Sequence, residues 1–258
     1  MKIDFEKYKR LFTFGCSFTN YYWPTWANII HQEMPEAELF NLGRAGAGNL
    51  YIHSLLMETD ARYKFCETDL VMVMFSSYTR EDRWVKDKGG WITAGNVHLN
   101  DVYPKDWVKE FFDERGYMIR DAALIHSMLN YMKHSPATGH ALLSTYFLTE
   151  KDFRTYNVTE TKDIIEVYKD SLSTLPIPLE NYETNRFWSR DYSVSDGHPS
   201  PIRHYEYLCQ LGLNLTEASK KYATDAHDLL RKCNTEDLQD TMNTFPEGNN
   251  NIAKVTVF

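Results

Sequence analysis

Residues 69–75 read Asp-Leu-Val-Met-Val-Met-Phe, six apolar side chains in an unbroken run. A strand with one wet face alternates apolar and polar residues. An unbroken run of this length belongs instead to a strand covered on both faces, the usual state of a strand in a parallel sheet with helices on either side. The neighbouring segments have the matching order. Residues 9–14 read as a short buried strand, and residues 23–33 as a helix that ends before Pro35. Residues 38–42 read as a second strand, and 50–63 as a helix with Ile52, Leu55, Leu56 and Tyr63 at helical spacing. Further on, residues 104–133 predict one or two helices with Gly116 as a break, 141–148 a strand, 161–172 a helix, and 201–232 mainly helix with Gly212 as a weak point. Strand and helix alternate from the start, which favours a doubly wound parallel sheet.

Residues 86–101, rich in Gly, Asn and charge, predict a long loop, and residues 85–103 together read as a cover over the site. Trp84, Trp91, Trp107 and Trp188 fall in or beside the expected covering segments, where they suit either core packing or stacking on a ligand. The simplest division is one α/β domain over residues 1–233. A polar tail over 234–258 follows, with a strand-like end that a partner's sheet edge could accept.

The chain has 258 residues, enough for a sizeable core. Its net charge of −8 argues against a general nucleic-acid surface, which needs clustered Lys and Arg. No run approaches the length of a membrane span, and the charged first ten residues lack the apolar centre of a signal peptide, so a cytoplasmic location is expected. The four cysteines are scattered without C-x-x-C spacing, so free thiols are expected and neither a metal nor another cofactor is called for.

Two short stretches carry chemistry. The first strand runs into Gly15-Cys16-Ser17, where a glycine permits a sharp turn and a serine follows at the carboxyl end of a strand. Ligands of open parallel sheets bind at such ends. Far downstream stands Ser195-Asp196-Gly197-His198-Pro199. A serine becomes a nucleophile only with a base in hydrogen-bond reach, normally a histidine oriented by a carboxylate. Ser17, His198 and Asp196 meet those requirements by type, with Asp191 a second choice for the acid. A third stretch, Gly43-Arg-Ala-Gly-Ala-Gly-Asn49, matches neither a P-loop nor a dinucleotide fingerprint. Each feature has a plainer use: Ser17 as a helix cap, Asp196 as a turn residue, the glycines as close packing. Arg80 to Arg83 reads as a surface ion-pair cluster, although Arg80 could also hold an anionic group. Cys16 is expected to be buried behind the turn.

Taken together, the three stretches resemble the SGNH/GDSL hydrolase superfamily over residues 9 to about 215. Phe14-Gly-Cys-Ser-Phe-Thr19 is similar to the family's nucleophile motif. Asn41-Leu-Gly-Arg-Ala-Gly46 is similar to its second motif, with Gly46 in the place of the oxyanion glycine, and Asp196-Gly-His-Pro199 to its last. The resemblance implies a flavodoxin-like three-layer α/β/α sandwich and a serine esterase acting on O-acyl groups, with an O-acetylated carbohydrate the preferred substrate. Acyl transfer to an alcohol would use the same residues. The chain departs from the family pattern at two places. Phe75-Ser-Ser-Tyr-Thr79 holds no Asn where the third motif has an oxyanion donor, which leaves Ser77, Thr79, Asn49 or Arg80 to substitute. The acid–histidine spacing is Asp-x-His rather than Asp-x-x-His. The alternative expectation is a scaffold of the same fold, weakly active or inactive, that binds a partner.

Overall fold

The computed structural model describes residues 1–98, 102–145, 161–179, 197–233 and 236–245. Four strands form one parallel sheet: β1 (Arg10–Gly15), β2 (Glu38–Gly43), β3 (Asp69–Phe75) and a fourth strand at Thr138–Leu143, which is β6 in chain order. Their spatial order is β2-β1-β3-β6. Every neighbouring pair is parallel, with Gly15 opposite Gly43 where β1 and β2 end. The chain leaves β1 in one direction to make β2 and crosses to the other side to make β3. The point where the winding reverses therefore lies at the carboxyl ends of β1 and β3.

Side-chain alternation along the strands sorts the core into two layers. Phe12, Phe14, Val71, Val73 and Phe75 face α2 (Asn49–Tyr63), α4 (Glu114–His134) and α5 (Lys162–Leu172). Leu11, Leu70, Met72 and Met74 face α1 (Trp26–Gln32), α6 (Pro201–Gln210) and α7 (Glu217–Leu230). All seven residues of β3 are buried, as its composition requires. The architecture is thus the three-layer α/β/α sandwich with a parallel sheet.

Three expectations need correction. Residues 80–96 are not a surface ion-pair cluster leading into a loop. They form an antiparallel hairpin of β4 (Arg80–Val85) and β5 (Gly90–Asn96), with Trp84 opposite Trp91. Gly89, with φ 57°, closes it in the left-handed conformation that glycine tolerates. The acidic residues of β4 are buried, Glu81 at 5% and Asp82 at 2% exposure. The helical break in 104–133 falls at Phe112–Asp113, between α3 (Lys105–Phe111) and α4. Gly116 lies inside the first turn of α4, where its N–H donates to the capping Asp113 carboxylate. Finally, residues beyond 234 are not all tail. A short helix, α8 (Leu238–Asn243), packs Leu238 and Met242 against Trp23, Leu230 and Cys233. The expected strand at the end of the chain lies outside the described residues, as do Trp188, Asp191 and Asp196.

Candidate active site

The turn after β1 is built on two glycines. A side chain at Gly15 would stand 2.1 Å from Oγ1 of Thr19, and one at Gly43 would stand 2.8 Å from the backbone N of Asn20. Without them, residues 16–20 fold down over the ends of β1 and β2. Thr19 and Asn20 N–H both donate to the Cys16 carbonyl. Asn41 of β2 fastens this turn from below: its Nδ2 donates to Thr19 O at 3.1 Å, and its Oδ1 accepts from Thr13 Oγ1 and Gly43 N. Cys16 is buried, and its thiol is free.

Ser17 sits on this turn with 5% exposure, and its hydroxyl oxygen lies 2.8 Å from Nε2 of His198, 181 residues away in sequence. That is the contact a serine and its base require. The aromatic run just after Ser17 makes it. Tyr21 stacks on the imidazole at 3.8 Å between centroids, Phe18 meets it edge-on at 5.6 Å, and Trp23 Nε1 donates to Pro199 O at 2.8 Å. Turn and histidine are therefore joined by one aromatic cluster. With Nε2 facing Ser17, an orienting acid in such a pair acts through the other ring nitrogen, Nδ1.

Ser17 does not cap a helix. Helix α1 begins only at Trp26, behind Pro24 and a capping Thr25, whose N–H donates to Asn28 Oδ1 and whose hydroxyl donates to Thr19 O. The aromatic run occupies the intervening residues.

The glycine loop lies alongside. Gly46 is left-handed at φ 74°, and its N–H makes no hydrogen bond to another described residue. Hairpin strand β5 holds the loop: Gly95 N donates to Gly46 O, and Thr93 Oγ1 to Ala45 O. From β4, Asp82 receives the N–H groups of Gly48 and Tyr51 at 2.9 Å, capping the start of α2. Burial drives the Asp82 carboxyl up to about 6, against the opposing pull of those N–H groups and of Arg120 and Arg80.

Asn49 is not placed as an oxyanion donor. Asn49 is fully buried, and its Nδ2 donates to both Ser76 O and Asp121 Oδ2 while its Oδ1 accepts from Ser76 N. Both amide hydrogens are engaged, so Asn49 locks the end of β3 to the start of α2. Arg80 Nη1 donates to Ala47 O, which ties it to the glycine loop. Ser77 and Thr79 share a 2.9 Å hydroxyl contact at the mouth of β3. Tyr78 donates its hydroxyl to Glu114. No cluster of three or more His, Cys, Asp or Glu suited to a metal occurs among the described residues. No described helix is long and apolar enough to cross a membrane.

Sequence reasoning passed over Tyr21, Trp23, Asn41 and Asp82 as site residues. The density of rings in Phe18-Thr-Asn-Tyr-Tyr-Trp23, directly after the serine, was the signal for the first two. Nothing local marks Asp82.

Fold and site define an α/β/α sandwich protein with a serine–histidine pair at the winding reversal of its sheet, and its motifs resemble those of SGNH/GDSL hydrolases. No protein-family model and no curated protein matches the chain. Among solved structures, it is similar to a member of the lipolytic protein G-D-S-L family from Veillonella parvula, at 12% identity and TM-score 0.44, over 80% of this chain and 99% of that one. It is also similar to a catalytic mutant of Axe2, an acetylxylan esterase from Geobacillus stearothermophilus, at 14% identity and TM-score 0.44, over 80% and 95% of the respective chains.

Proposed function

We propose that the protein is a serine ester hydrolase that removes O-acyl groups, with acetyl on a carbohydrate as the preferred case. The 2.8 Å approach of Ser17 Oγ to His198 Nε2 carries this reading. Ser17 attacks the acyl carbonyl while its proton passes to Nε2. The tetrahedral oxyanion is held by backbone N–H groups of Ser17 and Gly46, with the Ser77 hydroxyl as a third donor. His198 then protonates the leaving alcohol, and water, deprotonated by the same nitrogen, releases the acid. Asp196 orients the imidazole through Nδ1. Backbone donors suit this task because they are fixed before charge develops.

The full engagement of Asn49 favours a second reading, a scaffold with weak or no chemistry. A hole with one donor fewer forfeits about 3 kcal/mol of transition-state stabilisation. A fluorophosphonate probe separates the two. Labelling of wild type that vanishes in Ser17→Ala, with aryl acetate cleavage lost in parallel, is the expected result. An unlabelled Ser17 and equal cleavage by both proteins would establish the scaffold.

A further inference from the structure

A cavity of about 390 Å³ opens between turn residues 20–24, β2 and helices α7 and α8. It adjoins the candidate active site without including Ser17 or His198. Its described lining holds no Lys, Arg, His, Asp or Glu, although a quarter of the chain is charged. Five carboxamides take their place, Asn20, Asn28, Asn41, Gln239 and Asn243; Asn41 is spent on the turn and Asn28 Oδ1 on Thr25, so Asn20, Gln239 and Asn243 are the ones offered to a ligand as both donor and acceptor. Rings supply much of the rest, Tyr22, Trp23 and Tyr222 among them. Gln239 and Asn243, four residues apart on α8, share a face and are exposed at the rim, where Tyr22 is 50% exposed. Trp23, Leu39 and Met242 are buried.

This lining selects its ligand by exclusion and by match. Without a cation it has nothing to neutralise a phosphate, sulfate or carboxylate, and without an anion nothing to hold an ammonium group. A wholly apolar ligand would strip water from the carboxamides and give them no partner. A carboxamide both donates and accepts, which matches a hydroxyl group. Aromatic faces match the C–H face of a saturated ring. A neutral sugar presents both surfaces at once, and the volume lies at the small end of the roughly 300–1,000 Å³ range of ligand sites.

We propose that this cavity binds a neutral sugar ring, the subsite for the carbohydrate part of the ester. The assignment rests on the ester-hydrolase reading of Ser17 for its role in catalysis, but not for the binding itself. The wall of the cavity is the loop that forms the Ser17–His198 pair. Tyr21 lines the cavity and stacks on His198, and Trp23 lines it and donates to the carbonyl of Pro199. A sugar seated there is held beside the reacting pair.

The test titrates full-length Ser17→Ala protein with neutral disaccharides of glucose, xylose and galactose, and with uridine, following the Trp23 indole N–H resonance. Saturable millimolar binding of at least one disaccharide is expected. The double variant Gln239→Ala, Asn243→Ala should weaken it about tenfold, the scale of losing one or two net hydrogen bonds. Both positions are exposed on a helix, where alanine is well tolerated, so the variant keeps its fold. No saturable shift with any disaccharide, tighter binding of uridine than of every disaccharide, or equal binding by the double variant would overturn the assignment. Fluorophosphonate labelling of wild type is read separately. Labelling without saccharide binding removes the subsite and leaves the hydrolase. Binding without labelling leaves a sugar pocket on an inactive fold.

Discussion

The reach of His198 to Ser17 depends on very few side chains, and two of them set testable costs. His198→Ala removes the proposed base while keeping the backbone hydrogen bonds of the turn. The rate of Ser17 acylation by aryl acetate should fall by about 10³-fold or more, as in other serine–histidine sites. Stopped-flow acylation kinetics measure this directly, and a loss below tenfold would mean that Nε2 takes no proton from Ser17. Asn41→Leu acts through structure instead. It deletes the hydrogen bonds to Thr19 O, Thr13 Oγ1 and Gly43 N at once. Thr19 O keeps the Thr25 hydroxyl, but the loss at Thr13 Oγ1 and Gly43 N should cost about 2–4 kcal/mol, read from the urea midpoint. Both Ser17 and His198 were legible in the sequence, since each stands in a short local pattern whose chemistry needs those residue types. Asn41 was visible as part of a motif, but its three bonds join β1, β2 and the turn, and only the parallel register of Gly15 with Gly43 brings those together.

At the scale of the element, the hairpin of β4 and β5 shapes the glycine loop. Its backbone touches Gly46 so closely that a methyl group there would stand 2.3 Å from Thr93 O and 2.9 Å from Gly95 N, on a residue already at φ 74°. Gly46→Ala must therefore push the loop and the hairpin apart. If Gly46 N–H holds the oxyanion as proposed, turnover of aryl acetate should fall at least about tenfold through kcat, with KM little changed, because such a donor acts only in the transition state. Steady-state kinetics decide it, and a pure rise in KM would assign the loop to substrate binding instead. Sequence reasoning missed this hairpin because Arg80-Glu-Asp-Arg83 looks like a solvated charge run. The structure buries Glu81 under Arg120 and Tyr117, and Asp82 under the start of α2. Buried charge is tolerated only when partners surround it, and those partners lie some 30 to 40 residues away in sequence.

For the whole molecule, these buried carboxyls link stability to pH. Burial raises both Asp82 and Asp121 to about 6, from an ordinary value of 3.8. Arg80 and Arg120 face them and oppose the rise. A raised acid binds its proton more tightly in the native than in the unfolded chain. Its stabilising contribution is thus complete below about pH 4 and is lost as pH rises through 6. Each group is worth at most about 3 kcal/mol across that window. Burial lowers five histidines, His31, His53, His140, His204 and His227, and these oppose the carboxyls over the same range, so the carboxyl part is read as a difference: relative to Asp82→Asn, wild type should gain stability as pH falls from 7 to 5. Calorimetry at a series of pH values tests this, and an unchanged slope in the variant would contradict it.

The run of residues 69–75 already dictated a covered parallel sheet, because such a run can be dry on both faces in few other settings. Residue type and spacing also marked Ser17 and His198 as a candidate pair, because Gly15-Cys-Ser17 must turn at a strand end and Asp196-Gly-His198 offers a base beside an acid. Tertiary structure alone decided what surrounds them. The stacking of Tyr21 on His198, the engagement of Asn49 and the clamp of β5 on Gly46 are contacts between segments far apart in the chain. Local pattern carries backbone preference and burial, whereas the direction in which a polar side chain finds its partner exists only once the layers have packed.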